Sequence, residues 1–234
     1  MQEKMNYDND YAKYIDHTVL KVTTTKEIVK KFCDEAKQYG FKSVCINSCF
    51  ASFASKQLAG TNTKVCVVVG FPLGANTTAT KVFEAKEAIE NGATEIDMVM
   101  NIGALLEGDF EYVSDDMVAV IKVCHPRSIV KVIIESSLLS DEQIVKACEL
   151  AKEANVDFVK TSTGFSIGGA TTHAVELMKK TVGDRIQVKA STGINSREIC
   201  DEMLAAGATR MGTSKGIAIV SGNESITGKT NKSN

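Results

Sequence analysis

Two lysines in this chain each follow a short apolar run and precede a loop of small residues. Lys160 comes after residues 156–159 (Val-Asp-Phe-Val) and before Thr-Ser-Thr-Gly, and Lys189 comes after residues 186–188 (Ile-Gln-Val) and before Ala-Ser-Thr-Gly. Apolar runs of this length flanked by turn residues predict β-strands. Because an ammonium group is costly to bury without a partner, a lysine at the end of each strand indicates a functional position.

The two lysines predict amine chemistry if they share one cleft. A neighbouring cation lowers the pKa of a lysine, and the neutral amine is a nucleophile that attacks carbonyl groups. Loss of water then leaves an iminium, which withdraws electrons so that an adjacent carbon–carbon bond can break or form. In this interpretation Lys160 is the nucleophile and Lys189 is its protonated neighbour. The alternative is that both side chains extend into solvent.

Asp97 lies in the middle of a further apolar run, residues 94–100, which predicts the fourth strand. A carboxylate in this position has two interpretations. It is half of an ion pair in the protein interior, with a lysine such as Lys131, or it is a proton-relay partner of Lys189 that works through water. Both interpretations predict that Asp97 points toward the inside of the fold.

The composition argues against several classes of partner. The chain has 234 residues, of which 44% are hydrophobic and 24% charged, and its net charge of −2 gives no reason to expect nucleic acid or an anionic membrane. Residues 1–10 lack the pattern of a signal peptide, and no apolar run is long enough to span a membrane. Seven scattered cysteines predict reduced thiols in a cytoplasmic protein, and three histidines without metal-binding spacing predict no protein-bound metal.

Eight alternating strand and helix patterns follow one another without a break in composition. Apolar strands that alternate with amphipathic helices predict an α/β protein with a parallel sheet, and eight units favour a single-domain (β/α)8 TIM barrel over residues 1–222. The polar tail, residues 223–234, is expected to be frayed. A doubly wound open sheet is the alternative fold, but no G-x-G-x-x-G sequence follows the first strand. In a barrel, the carboxyl ends of the strands would bring Lys160 and Lys189 to one mouth.

Glycine-rich turns follow the seventh and eighth predicted strands. Gly193 precedes one helix, and Gly212-Thr213-Ser214-Lys215-Gly216 precedes the last segment. Barrels of this type bind phosphate with the backbone N–H groups of these two loops and with the N-terminus of a following helix. The two turns therefore predict a phosphate site close to the lysines.

Longer segments carry a resemblance to a known family. The chain resembles deoxyribose-phosphate aldolase, a class I Schiff-base aldolase family, and the sequence Lys-Thr-Ser-Thr-Gly-Phe at 160–165 is highly specific for it. The resemblance extends nearly from end to end, through residues 15–21, 44–47, 69–74, 95–101, 130–135, 158–165, 188–191 and 210–214.

The resemblance implies a reaction and a set of site residues. The reaction is the reversible cleavage of 2-deoxy-D-ribose 5-phosphate into acetaldehyde and D-glyceraldehyde 3-phosphate, without a metal or other cofactor, in enzymes that are often cytoplasmic homodimers. Lys160 is implied as the Schiff-base lysine, with Lys189 and Asp97 handling protons. The residues expected to bind the phosphosugar are Asp16, Thr18, Cys45, Thr163, Gly164, Gly193, Gly212, Thr213 and Ser214.

The chain departs from the family pattern at the phosphate loops. Thr192 stands where the family usually has the first of two glycines, so the backbone there is expected to be crowded or to adopt a less favourable dihedral angle. Asn195 stands in place of an arginine, and Lys215 in place of a serine. We hypothesise that the ammonium group of Lys215 replaces the lost positive charge. Ser48-Cys49 also departs from the pattern and has no functional interpretation.

Two other functions compete with this one. Ketose-phosphate aldolases also place a lysine on the sixth strand, so the changes at Thr192 and Asn195 could reflect a different acceptor. A catalytically silent phosphosugar-binding or assembly protein is the alternative from another class. Against it, a binding module has no need of paired strand-end amines such as Lys160 and Lys189.

Overall fold

The computed structural model describes residues 9–222, which form a closed barrel of eight parallel strands with helices between them. This confirms the predicted single-domain (β/α)8 barrel. Each strand pairs with the next, and β8 pairs with β1. The strands are β1 (Ile15–Thr18), β2 (Ser43–Ile46), β3 (Lys64–Val69), β4 (Glu95–Val99), β5 (Ile129–Ile133), β6 (Phe158–Lys160), β7 (Gln187–Ser191) and β8 (Arg210–Thr213).

Ten α-helices are present in residues 9–222, and most of them form the outer layer of the barrel. Two short 3-10 helices, Ser48–Phe50 and Ser136–Leu138, follow β2 and β5. The α-helices are α1 (Asn9–Ala12), α2 (Lys26–Tyr39), α3 (Ala51–Gln57), α4 (Thr78–Glu90), α5 (Ile102–Glu107), α6 (Phe110–Cys124), α7 (Asp141–Glu153), α8 (Thr172–Val182), α9 (Arg197–Ala205) and α10 (Gly216–Ser221).

Local sequence signals define the ends of these helices. The side chain of Thr25 accepts a hydrogen bond from the backbone N–H of Ile28 at the start of α2, and Gly40 ends that helix in the left-handed conformation. At α7, Ser140 and Gln143 form a reciprocal capping box. Such caps satisfy N–H groups that the first turn of a helix leaves without partners.

The strands are buried on both faces, as expected for a parallel sheet that is covered by helices. β2, β4 and β6 are buried along their whole length, and so are five of the six residues of β3. Strand side chains that point outward pack against the helices in one continuous apolar core. Charged side chains that point inward instead meet one another inside the barrel, which is where the site forms.

A buried ion pair also lies outside the barrel, between α4 and α6. Nζ of Lys81 lies 2.5 Å from Oδ2 of Asp116 and donates a second hydrogen bond to the backbone carbonyl of Val99 at 3.0 Å. The other carboxylate oxygen of Asp116 accepts a hydrogen bond from Thr78. This pair fastens two helices to each other and to the end of β4.

Several boundaries differ from those that the sequence pattern predicts. The apolar run at residues 129–135 predicts a fifth strand that ends at Glu135. In the structure, β5 ends at Ile133, and Glu135 has left-handed backbone angles (φ 51°, ψ 57°) before a 3-10 helix. Helix α5 was not predicted, although Asn101 caps it and Gly108 ends it. The cause is its length of six residues, which is too short for a clear periodic pattern.

The polar tail, residues 223–234, lies outside the described residues, so its expected fraying stays a prediction. Within residues 9–222, none of the helices combines the length and the apolar character needed to cross a membrane.

Candidate active site

Asp97 stands at the centre of a group of buried charges inside the barrel. Its Oδ2 lies 2.7 Å from Nζ of Lys160 and 2.8 Å from Nζ of Lys189, and its Oδ1 lies 2.8 Å from Nζ of Lys131. The strand register explains this arrangement, because Asp97 pairs with Lys131 across β4 and β5, and Lys160 pairs with Lys189 across β6 and β7. Both interpretations of Asp97 are therefore compatible with the structure: it forms an ion pair with Lys131 and also contacts both lysines of the site.

A second carboxylate, Asp16 on β1, completes the network from the opposite side of the barrel. Its Oδ2 lies 2.5 Å from Nζ of Lys189, and its Oδ1 accepts hydrogen bonds from Arg210 at 2.8 Å and from Ser43 at 2.6 Å. Glu95 on β4 also binds Arg210, at 2.8 Å. The network thus connects strands on all sides of the barrel, through side chains that are almost completely buried.

The charges in this network do not balance. Four basic groups (Lys131, Lys160, Lys189 and Arg210) face three carboxylates (Asp16, Glu95 and Asp97). Within the described residues, Lys160 has an ion pair with one carboxylate, Lys189 with two and Lys131 with three. Lys160 therefore has the fewest ion pairs of the three lysines.

Electrostatics hold most members of the network in their charged forms. Burial opposes ionisation of Asp97, but the attraction of Lys131, Lys160 and Lys189 outweighs it and places the pKa of Asp97 well below the ordinary value. Burial likewise opposes the charge of Lys189, yet Asp16 and Asp97 raise the pKa of that lysine above the ordinary range. Lys189 is thus a lasting cation beside Lys160.

Two cysteines face this network from β2 and β3. Cys45 pairs with Cys66 across the two strands, and Sγ of Cys66 lies 3.1 Å from Oδ1 of Asp97 and 3.3 Å from Nζ of Lys131. Burial is the main reason that the pKa of Cys66 lies well above its ordinary value. Both cysteines are free and buried, as predicted, but they adjoin a charged interior rather than a purely apolar core.

The same side chains include possible metal ligands. Donor atoms of Cys45, Cys66 and Asp97 lie within 4.8 Å of one another, and so do those of Asp16, Cys66 and Glu95. A metal ion bound there would have to displace ammonium or guanidinium groups that already bind these carboxylates. The prediction that no metal is bound stays a prediction.

Apolar residues form one wall of the mouth. Leu20, Cys45, Cys66 and Val68 form a buried cluster against which Phe71 packs, separate from the main core. Phe71 also makes an edge-to-face contact with Phe165, at 5.3 Å between ring centroids. The interior near β1, β2 and β3 is therefore more apolar than the β7 and β8 side, which presents hydroxyl groups and backbone.

The loop after β6 is held by a buried carboxylate on the loop after β5. Glu135 accepts hydrogen bonds from the backbone N–H of Thr163, at 3.2 and 3.3 Å, and a short one from its hydroxyl group. The oxygen of that hydroxyl accepts a bond from the N–H of Phe165 at 3.1 Å. The single hydroxyl proton of Thr163 is thus used on Glu135, and these bonds together fix the loop that follows Lys160. Gly164 is exposed there at φ 85°.

The loop after β7 has an unusual backbone. Thr192 adopts φ 71°, a left-handed conformation that β-branched residues rarely take, and the next residue, Gly193, adopts φ 87°. A side chain at Gly169 would collide with the backbone of Thr192, and one at Gly164 would lie 3.0 Å from its hydroxyl oxygen, so the β6–α8 loop is packed closely around Thr192. The expected unfavourable dihedral angle at Thr192 is therefore confirmed. Asn195 is exposed in the same loop.

The loop after β8 is bound to the loop after β7. The hydroxyl of Thr213 donates to the backbone carbonyl of Ile194 at 2.6 Å and accepts from the backbone N–H of Lys215 at 2.9 Å. Ser214 is exposed, and Lys215 is half-buried.

At the end of β1, the hydroxyl of Thr18 donates to the backbone carbonyl of Asp16 at 2.8 Å.

The structure brings most of the predicted site residues to one end of the barrel. Lys160, Lys189 and Asp97 are in direct contact, and Asp16 contacts Lys189. Lys189 lies inside β7 rather than at its end, because that strand continues to Ser191.

Sequence reasoning did not single out three members of the site: Glu95, Glu135 and Arg210. The signal was present, since a charged residue in an otherwise apolar strand requires a buried partner.

Comparison with known proteins agrees with this geometry. The model of the family described as "DeoC/LacD family aldolase" matches residues 11–222. This chain belongs to that family of aldolases. The deoxyribose-phosphate aldolase of Clostridium novyi (strain NT) is 56% identical to this DeoC/LacD aldolase over 213 residues, which cover 91% of the chain and 96% of the relative. That of Geobacillus sp. (strain WCH70) is 55% identical over 92% of the chain and 96% of the relative.

Solved structures show the same fold. The deoxyribose-phosphate aldolase of Aeropyrum pernix, described as a unique tetramer, superimposes on this DeoC/LacD aldolase with a TM-score of 0.85 and 31% sequence identity. The match covers 91% of this chain and 90% of the A. pernix chain.

Proposed function

We propose that this chain is a lyase that cleaves 2-deoxy-D-ribose 5-phosphate reversibly into acetaldehyde and D-glyceraldehyde 3-phosphate, through an imine on Lys160. The observation that carries the proposal is the contact of two buried lysines, Lys160 and Lys189, with one carboxylate oxygen of Asp97 at 2.7 and 2.8 Å. Relatives that are 55 and 56% identical carry the name of this activity. A protein that only binds a phosphosugar does not need two buried lysines on one carboxylate.

The charge balance favours Lys160 as the amine that becomes neutral and attacks. Removing its proton breaks one ion pair of the described network, whereas removing a proton from Lys189 breaks two. The side chain of Lys160 is also 3% exposed, while that of Lys189 is 0% exposed. Lys160 therefore combines the smaller number of ion pairs with the better access to a carbonyl carbon.

The neighbouring groups can then move protons. After Lys160 attacks C1, the carbinolamine oxygen must take up protons before it leaves as water, and Lys189 is the adjacent cation that can supply one. Asp97 stays close to the developing iminium and balances its charge, since its Oδ2 already contacts Lys160. The C3 hydroxyl then loses its proton and becomes the aldehyde of D-glyceraldehyde 3-phosphate, while the electrons of the C2–C3 bond leave an enamine on Lys160. A proton added at C2 restores an iminium, and water hydrolyses it to acetaldehyde and the free lysine.

The remaining substrate contacts are also part of the proposal. The phosphate is placed against the loops after β7 and β8, where backbone N–H groups and small residues surround the mouth. Asp16 acts mainly by binding the ammonium group of Lys189, which its carboxylate contacts at 2.5 Å. The residues proposed to line the phosphosugar are Asp16, Thr18, Cys45, Thr163, Gly164, Gly193, Gly212, Thr213 and Ser214.

We further propose a cytoplasmic homodimer. Seven cysteines within residues 9–222 are free, and six of them are buried, which supports a reducing compartment. A tetramer is the competing assembly, because the A. pernix structure is described as one. Native mass spectrometry of the full chain would distinguish the two masses, and a tetramer would contradict the proposed dimer.

The reaction is tested by trapping the imine. The enzyme is incubated with 2-deoxyribose 5-phosphate and borohydride, and the reduced adduct is located by peptide mass mapping. We expect an adduct on Lys160 in the wild type, and none in Lys160→Ala. A matched control is Lys215→Ala, which removes a lysine outside the charge network and should leave the adduct on Lys160.

Other trapping results would revise specific parts of the proposal. An adduct on Lys189 would exchange the roles of the two lysines. An adduct with a ketose phosphate, but none with 2-deoxyribose 5-phosphate, would retain the imine mechanism and change the substrate. The absence of any adduct would overturn the Schiff-base mechanism.

A further inference from the structure

Ser191 carries a buried hydroxyl group that has no partner among the described residues. The residue is 5% exposed, and its Oγ makes no hydrogen bond with any described group. Buried hydroxyl groups are normally hydrogen-bonded, and an unpaired one lowers the stability of the folded state. An unpaired hydroxyl beside a reaction centre is therefore a candidate for a ligand contact.

The hydroxyl of Ser191 lies between Lys189 and the loop after β8. Ser191 follows Lys189 by two residues on β7, so both side chains point to the same face of the strand. A side-chain carbon on Gly212 would overlap Oγ of Ser191 and would lie 3.1 Å from Cε of Lys189. The hydroxyl thus fills the space above Gly212, where the mouth of the barrel meets the loops proposed for the phosphate.

The backbone of Ser191 is held firmly, so the hydroxyl has a defined place. Its N–H donates to the hydroxyl of Thr161 at 3.1 Å, and its carbonyl accepts from the N–H of Ala170 at 3.0 Å. The hydroxyl of Thr161 also donates to that carbonyl, at 3.3 Å. A group fixed in this way loses little freedom when it binds a ligand, which favours selective recognition.

We infer that Ser191 binds the C4 hydroxyl of the sugar phosphate and thereby selects acceptor aldehydes that carry a hydroxyl group next to the carbonyl. This inference rests on the proposed function. C1 is bonded to Lys160, C3 carries the hydroxyl that becomes the aldehyde, and C5 carries the phosphate. C4 lies between these two ends, as Ser191 lies between the lysines and the phosphate loops.

The chemistry of Ser191 suits a hydroxyl partner. A serine hydroxyl has one proton to donate and lone pairs to accept with, and a sugar hydroxyl has the same capacity. The ammonium of Lys189 already contacts Asp16 and Asp97, so among these neighbours the serine hydroxyl is the group without a partner. A site built to bond a hydroxyl group discriminates against a ligand that lacks it, because its own polar group then stays unpaired.

The test compares two acceptors in the condensation with acetaldehyde. D-Glyceraldehyde 3-phosphate has the hydroxyl that becomes the C4 hydroxyl of the product, and 3-oxopropyl phosphate lacks it. For Ser191→Ala, we expect kcat/KM with D-glyceraldehyde 3-phosphate to fall by about tenfold, and kcat/KM with 3-oxopropyl phosphate to change by less than about twofold. The melting temperature should stay the same or rise, because no hydrogen bond within the described residues is lost.

A matched control is Ser128→Ala, at the opposite end of the barrel. Ser128 is also buried, but its hydroxyl donates to the carbonyl of Ala93 at 3.0 Å. This variant should lose stability and keep the wild-type ratio of kcat/KM for the two acceptors.

Two outcomes would overturn the inference about Ser191 and leave the proposed function standing. They are a Ser191→Ala enzyme that keeps the wild-type ratio, and one that loses activity equally with both acceptors. A wild-type enzyme that condenses acetaldehyde with neither acceptor would overturn the proposed function, and this inference with it.

Discussion

Lysines are buried in two regions of this protein, and the two regions differ in charge balance. Between α4 and α6, Lys81 meets Asp116 at 2.5 Å and the carbonyl of Val99 at 3.0 Å, so one cation faces one carboxylate. Inside the barrel, Lys160 shares Asp97 with two other lysines. In both regions the lysine side chains are 0–3% exposed.

Burial alone does not mark a reactive lysine. A buried cation with its own carboxylate and a carbonyl acceptor is satisfied and stabilises the packing of two helices. Inside the barrel, four cations share three carboxylates, and Lys160 has the fewest ion pairs of the three lysines. In the proposed mechanism, Lys160 is the lysine that attacks the carbonyl carbon.

Among variants that keep the nucleophile Lys160, Lys189→Leu should have the largest effect on activity, because it removes the neighbouring cation. Three basic groups would then face three carboxylates, and Lys160 would lose the neighbouring cation that shares Asp97 with it. We expect kcat/KM for 2-deoxyribose 5-phosphate to fall by about 10³-fold near neutral pH. Lys189→Arg is the control that keeps the charge. Retention of more than a few per cent of activity by Lys189→Leu would count against Lys189 as the perturbing cation.

Lys81→Met should have the opposite effect: it should lower the free energy of unfolding and leave kcat almost unchanged. Breaking a buried ion pair from one side leaves Asp116 without its cation, which costs about 3–5 kcal/mol in the free energy of unfolding. Denaturant unfolding measures this loss, and kcat of the protein that remains folded should stay near that of the wild type. A variant as stable as the wild type would show that the pair contributes nothing to stability.

Acid should weaken the barrel network progressively. The pKa values of Asp16 and Asp97 are lowered in the folded state, so their contribution to stability is present above the ordinary value of 3.8 and is lost as pH falls through the folded values. We expect the free energy of unfolding to decline below about pH 4, by about 1.4 kcal/mol per pH unit for each proton taken up. Asp97→Asn should show a smaller slope, and an equal slope would contradict this account.

Lys215→Ser should have the smallest effect and extends the comparison to a lysine without a carboxylate. No ion pair of Lys215 occurs within residues 9–222, and the side chain is half-buried next to Thr213. If its ammonium replaces the arginine missing at Asn195, the KM for 2-deoxyribose 5-phosphate should rise by roughly three- to tenfold. The KM for unphosphorylated 2-deoxyribose serves as the control and should not change. An unchanged KM for the phosphorylated sugar would disprove the compensation.

Much of the fold could be predicted because its signals are local. Apolar strands that alternate with capped helices specify the (β/α)8 order, and the chain shows both features from β1 to β8. The short helix α5 and the early end of β5 were missed, because six residues give too little periodicity and because a left-handed Glu135 is decided by its tertiary contacts.

The groups available for chemistry can be recognised from the chain alone: two lysines before small-residue loops, an aspartate in an apolar strand and glycine-rich turns after the last two strands. Their separate roles depend on contacts that form only when the barrel closes. Closure of the barrel brings β1 beside β8, so that Asp16 and Arg210 join Lys131, Lys160, Lys189 and Asp97 across long separations in the chain. The number of carboxylates around each lysine depends on that closure, because charge–charge energies are set by distance in space and by burial rather than by position in the sequence.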